Sequence, residues 1–283
     1  MDPERVRERM PLLGSLRARP EVRGRRLRRG VYLLPSMFTL ANMFCGYACI
    51  VYAMRGEFET AAPFIGIAVV LDMLDGRIAR MTGTTSAFGL EFDSLADVIS
   101  FGVAPVVLTY AWGLAPLGRV GWAAGFIFLT AGAIRLARFN IQATSDKRYF
   151  VGMPIPAAAA VPASTVYLYP FGLHDYTSAL PALALMLVPA VLMVSTIRFR
   201  SFKTIDWRAR RSYQILLALA VGLVSVATHP RPTLAVIAYS YLCSAFVEMA
   251  VARMRRRGTA VPGGVQPEAV AEGAPPISEE RAE

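Results

Sequence analysis

Apolar residues along this chain gather in runs of about 17 to 25 positions, the length a helix needs to cross the hydrocarbon core of a bilayer. Charged residues, Gly and Pro separate the runs, and the pattern predicts spans near 33–54, 58–81, 92–113, 120–140, 154–171, 178–197, 212–228 and 232–252. The fifth, "MPIPAAAAVPASTVYLYP", carries Pro154, Pro156, Pro162 and Pro170 and is expected to kink or to enter only part of the membrane. No internal repeat of the kind that marks duplicated transporter halves runs through these segments. The fold expected is all-α, a polytopic transmembrane helical bundle of about eight spans.

Composition agrees with the pattern. The chain has 283 residues, 55% of them hydrophobic, and a mean hydropathy of +0.44. Three regions are expected: a basic N-terminal tail over 1–30, a transmembrane domain over 31–257, and a disordered tail over 258–283. The last, "GTAVPGGVQPEAVAEGAPPISEERAE", has too few large apolar residues to offset chain entropy. The long charged start, leading into many further spans, argues against a cleaved signal peptide.

The formal charge of +10 is not a nucleic-acid signature here, because in a membrane chain the loops that carry Lys and Arg report orientation. Ten Arg precede residue 31, and further basic clusters fall at Arg77 and Arg80, Arg135 to Arg148, Arg198 to Arg211, and Arg253 to Arg257. Only Arg55, Arg119 and Arg231 fall in the intervening loops. Alternation of this kind implies an even number of spans with both termini in the cytoplasm, and the Arg-rich start suits contact with anionic lipid. The loop "RFRSFKTIDWRARRS", with Trp207, fits a cytoplasmic segment at headgroup level.

Several reactive residue types carry no function by this reading. Cys45 and Cys49 stand at i, i+4 with no His beside them, and they read with Cys243 as packing residues. His174 and His229 fall in predicted outer loops, away from other titratable groups. Trp112, Trp122, Tyr167 and Tyr169 occur towards span ends and read as an interfacial belt or as packing.

The chemistry concentrates in "LDMLDGRIARMTGTTSAFGLEFDSLADVIS", residues 71–100. In a helix Asp72, Asp75, Gly76, Ala79 and Arg80 share one face, and Asp93 and Asp97 repeat the i, i+4 relation in the next span. Gly76 and Gly89 leave room for close approach of backbone or ligand. Two readings are open. The carboxylates can form structural salt bridges with Arg77, Arg80, Arg135 and Arg138, or they can converge. Four converging anions at low dielectric repel one another unless cations neutralise them, and oxygen-only ligation favours Mg²⁺ or Mn²⁺. Charged groups inside membranes are costly and usually functional, which favours convergence. The predicted orientation puts the cluster at the cytoplasmic face, where two metals can clamp a diphosphate and Arg80 can hold a phosphate. The same placement weighs against an ion-coupled transporter, whose acids are expected nearer the midplane.

The stretch D72-M-L-D75-G76-R-I-A79-R80, eight residues, then G89-L-E-F-D93-S-L-A-D97 resembles in full the signature of the CDP-alcohol phosphotransferases. The resemblance implies the helical membrane fold of that family, a homodimer, and a reaction in which an alcohol attacks a CDP-activated phosphate and CMP leaves. It also implies that Asp72, Asp75, Asp93 and Asp97 bind two metal ions, that Asp97 is in addition the catalytic base, and that Gly76, Ala79 and Arg80 contact the CDP moiety.

Three further segments, "LPSMFTLANMFCGY" (34–47), "AGAIRLARFN" (131–140) and "FVGMPIPAAAA" (150–160), resemble those of the membrane-embedded phosphatidylserine synthases within that family. The substrates implied are CDP-diacylglycerol and L-serine, at an inner membrane; glycerol 3-phosphate, inositol phosphate or choline as acceptor is the alternative. Ser36 stands where relatives often carry Asn, so the nucleotide contact is assigned to Asn42. A serine carboxylate needs a cationic partner, and Arg135 and Arg138 stand near the cytoplasmic end of the fourth span. Asn140 beside them can hydrogen-bond a carboxylate or an ammonium.

Overall fold

The computed structural model describes residues 23–82, 86–142, 150–195, 198–199 and 212–258. The disordered tail expected over 258–283 (Gly258 apart), most of the basic N-terminal tail, and Trp207 with most of its loop lie outside those residues.

Helix α1 runs from Arg23 to Met54, so that residues 23–30 of the expected tail are helical. It ends in a tight turn in which Gly56 takes a positive φ, and α2 follows from Phe58 to Thr82. The two form an antiparallel pair. Next, α3 spans Ala87–Asp97 and continues without a break through a π-helical stretch, Val98–Val103, a short α4, Ala104–Thr109, a second π-helical stretch, Tyr110–Leu114, and a 3₁₀ turn, Ala115–Leu117. Helix α5 is Arg119–Gln142, α6 is Ile155–Leu168, α7 is Tyr176–Val194, α8 is Ser212–Thr228 and α9 is Pro230–Gly258.

Among the described residues four helical segments are long and apolar enough to cross a membrane: Ser36–Met54, Ala87–Leu117, Arg119–Ile141 and Tyr176–Val194. The fifth predicted span is shorter than expected. Its 14 residues, Ile155–Leu168, rise only about 21 Å as an α-helix, against a hydrocarbon core of about 30 Å. Pro170 explains the early end, because a residue before Pro is driven from the helical region, and Tyr169 takes φ −130° and ψ 78°. Among the described residues the departure from an all-helical chain is one antiparallel pair of two-residue strands, β1 (Phe150–Val151) and β2 (Arg198–Phe199). Beside it Gly152, at φ 88°, lets the chain pass close under α7: an added Cβ would lie 2.4 Å from the Met193 carbonyl oxygen.

The third segment begins five residues before the predicted 92 because the helix starts at its cap and not at the lipid boundary. The Ser86 side chain accepts a hydrogen bond from the Gly89 amide at 2.9 Å, an arrangement worth about 1 kcal/mol. The core is built largely of Ala, with Phe101, Phe128, Ile65 and Leu108 as its largest fully buried members. Small side chains let helices approach closely where lipid supplies no hydrophobic drive between them. Cys45 and Cys49 are buried in this core. Trp112 is buried too, its indole N–H donating to the Tyr169 carbonyl at 2.8 Å, whereas Trp122 is 67% exposed.

Candidate active site

α1, α2, α3 and α5 supply the polar side chains, and the approach of α1 to α3 sets their spacing. Gly46 of α1 lies against Ser100 in the first π-helical stretch; a Cβ there would stand 2.7 Å from the Ser100 Cα and 2.7 Å from its Oγ. The Ser100 hydroxyl donates to the Asn42 carbonyl at 2.9 Å. The π-helical register begins at Val98, directly after Asp97, so the end of α3 is fixed against α1 where Asp97 emerges.

Asp72 of α2 and Asp93 and Asp97 of α3 each offer a carboxylate oxygen, and the three oxygens lie within 4.8 Å of one another. Asp97 is buried, while Asp72 and Asp93 are half-buried. Asp75 lies outside that group of three. It is buried, and its carboxylate accepts a hydrogen bond from the buried Thr39 hydroxyl of α1. Three of the four carboxylates therefore converge from the two helices, whereas Asp75, expected with them, turns to Thr39 of α1.

The arrangement fits a divalent cation. Its donors are all carboxylate oxygens, as hard cations require. Asp93 Oδ1 is buried and, among the described residues, has no hydrogen-bond partner. An orphaned buried anionic oxygen is costly unless a cation meets it.

The other residues expected at the site fall into two sets. Asn42 is fully buried, and its amide donates to Asp97 at 3.3 Å. Arg135 of α5 lies within electrostatic reach of Asp97 and Asp72; its buried Nε has no hydrogen-bond partner among the described residues. These two stand at the carboxylates. Arg80 is exposed, and its Nε donates back to the Gly76 carbonyl at 2.7 Å. Arg138 points its guanidinium to the Val194 carbonyl of α7 at 3.5 Å. The Asn140 amide donates to Ser94 at 3.0 Å, which ties the end of α5 to α3 between Asp93 and Asp97. Ala79 stands one turn past Asp75 on α2. His174 and His229 sit in the α6–α7 and α8–α9 connections and take no part.

Thr39, Ser94 and Ser100 were not singled out from the sequence. A lone hydroxyl within an apolar run carries no periodic signal, and only the pairing of helices reveals its partner.

A model of the CDP-alcohol phosphatidyltransferase family matches residues 32–197, which hold every carboxylate described above. The chain belongs to this family. A Helicobacter pylori (strain J99) protein named CDP-diacylglycerol–serine O-phosphatidyltransferase is 44% identical over 198 residues, 69% of this chain and 83% of the relative. A Bacillus subtilis (strain 168) protein of the same name is 34% identical over 170 residues, 60% of this chain and 91% of the relative. An archaetidylserine synthase of Methanothermobacter thermautotrophicus is 36% identical over 168 residues, 59% of this chain and 69% of the relative.

Proposed function

We propose that this CDP-alcohol phosphatidyltransferase is a phosphatidylserine synthase, transferring the phosphatidyl group of CDP-diacylglycerol to the hydroxyl of L-serine with release of CMP. The observation that carries the chemistry is the convergence of Asp72, Asp93 and Asp97 from two helices onto one point. The acceptor rests on relatives whose names agree on serine while differing in the lipid.

In this reading the serine hydroxyl oxygen forms its bond to the phosphatidyl phosphorus as the bond from that phosphorus to the CMP oxygen breaks. The hydroxyl proton passes to the Asp97 carboxylate, which the Asn42 amide holds in place. Mg²⁺ or Mn²⁺, two ions per site, would be held by Asp72, Asp75, Asp93 and Asp97, and supplies charge neutralisation for the diphosphate and a more acidic acceptor hydroxyl. Thr39 orients Asp75 from α1. Gly76, Ala79 and Arg80 line the CDP side along α2, where a glycine leaves room and a guanidinium can turn from a backbone carbonyl to a phosphate. Arg135 faces the serine carboxylate, and Arg138, one turn on, adds positive charge for the acceptor or the phosphate.

The domain extends over 31–257 as eight spans, with the site and both termini on the cytoplasmic side of the cell's inner membrane. Support for this comes from the Lys and Arg alternation and from eight successive helical segments of which α6 and α8 are short. The working unit is a homodimer embedded among membrane lipids.

The test is CMP release from CDP-diacylglycerol in detergent, with Mn²⁺ or Mg²⁺ and a panel of alcohols. L-serine is expected to support turnover in preference to glycerol 3-phosphate, inositol phosphate or choline. Equal or greater turnover with any of those overturns the acceptor; no CMP release with any alcohol overturns the enzyme.

A further inference from the structure

Helix α5 meets the segment that carries Asp93 and Asp97 at two levels. Deep in the bundle it packs on the π-helical stretch Val98–Val103, where Gly102 lies so close to Leu129 that an added Cβ would stand 2.9 Å from the Leu129 Cδ1. Near the end of α5 the contact is polar: the Asn140 amide donates to the Ser94 hydroxyl at 3.0 Å. Ser94 directly follows Asp93 and stands about one turn before Asp97. Along the chain Asp97 therefore falls between the two contacts on one wall, and Arg135, between Leu129 and Asn140, falls between them on the other.

The polar contact is well built. Ser94 and Asn140 are both half-buried. The Ser94 hydroxyl donates in turn to the Leu90 carbonyl at 3.0 Å, so that two hydrogen bonds run in one direction from α5 into the backbone of α3. The Asn140 side-chain oxygen lies 3.4 Å from the same hydroxyl, which leaves both ends of the amide engaged with Ser94. The sequence offered Asn140 as a direct contact of the acceptor; in the fold its amide is spent on a neighbouring helix.

We infer that Asn140 and Ser94 form a latch that positions Arg135 of α5 against the carboxylates of α3, so that Asn140 acts on the acceptor through Arg135 and does not touch it. The inference rests on the proposed use of serine, whose carboxylate Arg135 faces in that reading. Without the latch α5 can pivot on α3 about the close contact at Gly102. Leu129 is about 9 Å of helix from Arg135 and about 17 Å from Asn140, so a tilt that moves Asn140 by about 2 Å moves Arg135 by about 1 Å. A misplacement of that size is enough to cost about 10² in rate when the group orients a substrate.

The experiment compares full-length wild type, Ser94→Ala, Asn140→Ala, the double variant and Ser94→Thr in detergent with Mn²⁺, varying L-serine and CDP-diacylglycerol separately. Ser94→Ala and Asn140→Ala are each expected to raise the serine KM about tenfold or more, with the KM for CDP-diacylglycerol within about twofold of wild type. The double variant should be no worse than either single one, since one link is broken in all three. Ser94→Thr keeps the hydroxyl and should restore a serine KM near that of wild type. A raised serine KM in Asn140→Ala but not in Ser94→Ala makes Asn140 a substrate contact and overturns the latch. Effects that multiply in the double variant, or a lower Tm with both KM values unchanged, overturn it as well. Wild type inactive with L-serine but active with another alcohol overturns the acceptor reading itself, a distinct outcome.

Discussion

Asn42 and Asp97 stand 55 positions apart in the chain, and the amide nitrogen of one meets the carboxylate oxygen of the other at 3.3 Å. The pair links α1 to α3 at the carboxylate assigned as the base. The sequence offered Asn42 as a nucleotide contact; in the fold it is buried beneath the carboxylates. Asn42→Ala is expected to lower kcat by about 10- to 100-fold, the usual effect of removing a group that orients a ligand or base. Steady-state kinetics separate the two roles, since loss of a nucleotide contact would raise the KM for CDP-diacylglycerol and leave kcat near normal.

Asp97→Asn keeps the shape of the side chain and removes its basicity. It is expected to lower kcat by at least about 10², with CDP-diacylglycerol binding weakened far less, and to block formation of CDP-diacylglycerol from CMP and phosphatidylserine, because reversal uses the same proton path. Loss of lipid-nucleotide binding with normal turnover per bound substrate would instead make Asp97 a metal ligand alone.

Asp72→Asn and Asp93→Asn each remove one anionic oxygen from the group that lies within 4.8 Å. Metal-dependent activity should disappear while the protein still inserts and migrates as wild type in size-exclusion chromatography. Unchanged activity and unchanged Mn²⁺ dependence would make these carboxylates structural.

Thr39→Val retains volume and removes the hydroxyl that donates to Asp75. The Mn²⁺ concentration for half-maximal activity is expected to rise about tenfold, with the maximal rate at saturating metal largely kept. A metal titration at fixed substrate reads this directly.

Gly46→Ala puts a methyl group 2.7 Å from the Ser100 Cα, a backbone atom that cannot turn aside. The separation of α1 and α3 must grow, at a cost of about 1–3 kcal/mol, read as a lower Tm in detergent. The added variant Ser100→Ala should not restore stability, because the clash with the Cα remains.

What the sequence determined alone was local or periodic. Runs of apolar residues set the positions of the helices, because a helix in lipid satisfies its own backbone and needs no distant partner to do so. The i, i+3 and i, i+4 spacing put Asp72 with Asp75 and Asp93 with Asp97, since 3.6 residues per turn is a property of the backbone. The family signature followed from the same positions. Helix ends were less legible: hydropathy marks where lipid begins, whereas α3 starts at the Ser86 cap and α6 stops ahead of Pro170.

Only tertiary structure decided which groups meet. That Asp72 joins Asp93 and Asp97 while Asp75 turns to Thr39 depends on the rotation of α2 against α1 and α3, set by contacts such as Gly46 on Ser100. The sequence treated Arg135 and Arg138 alike as basic residues one turn apart. The packing of α5 separates them, sending Arg135 to the carboxylates and Arg138 to the end of α7. The rotation of one helix against another is fixed by side-chain packing across the contact, which no periodicity within a single helix encodes.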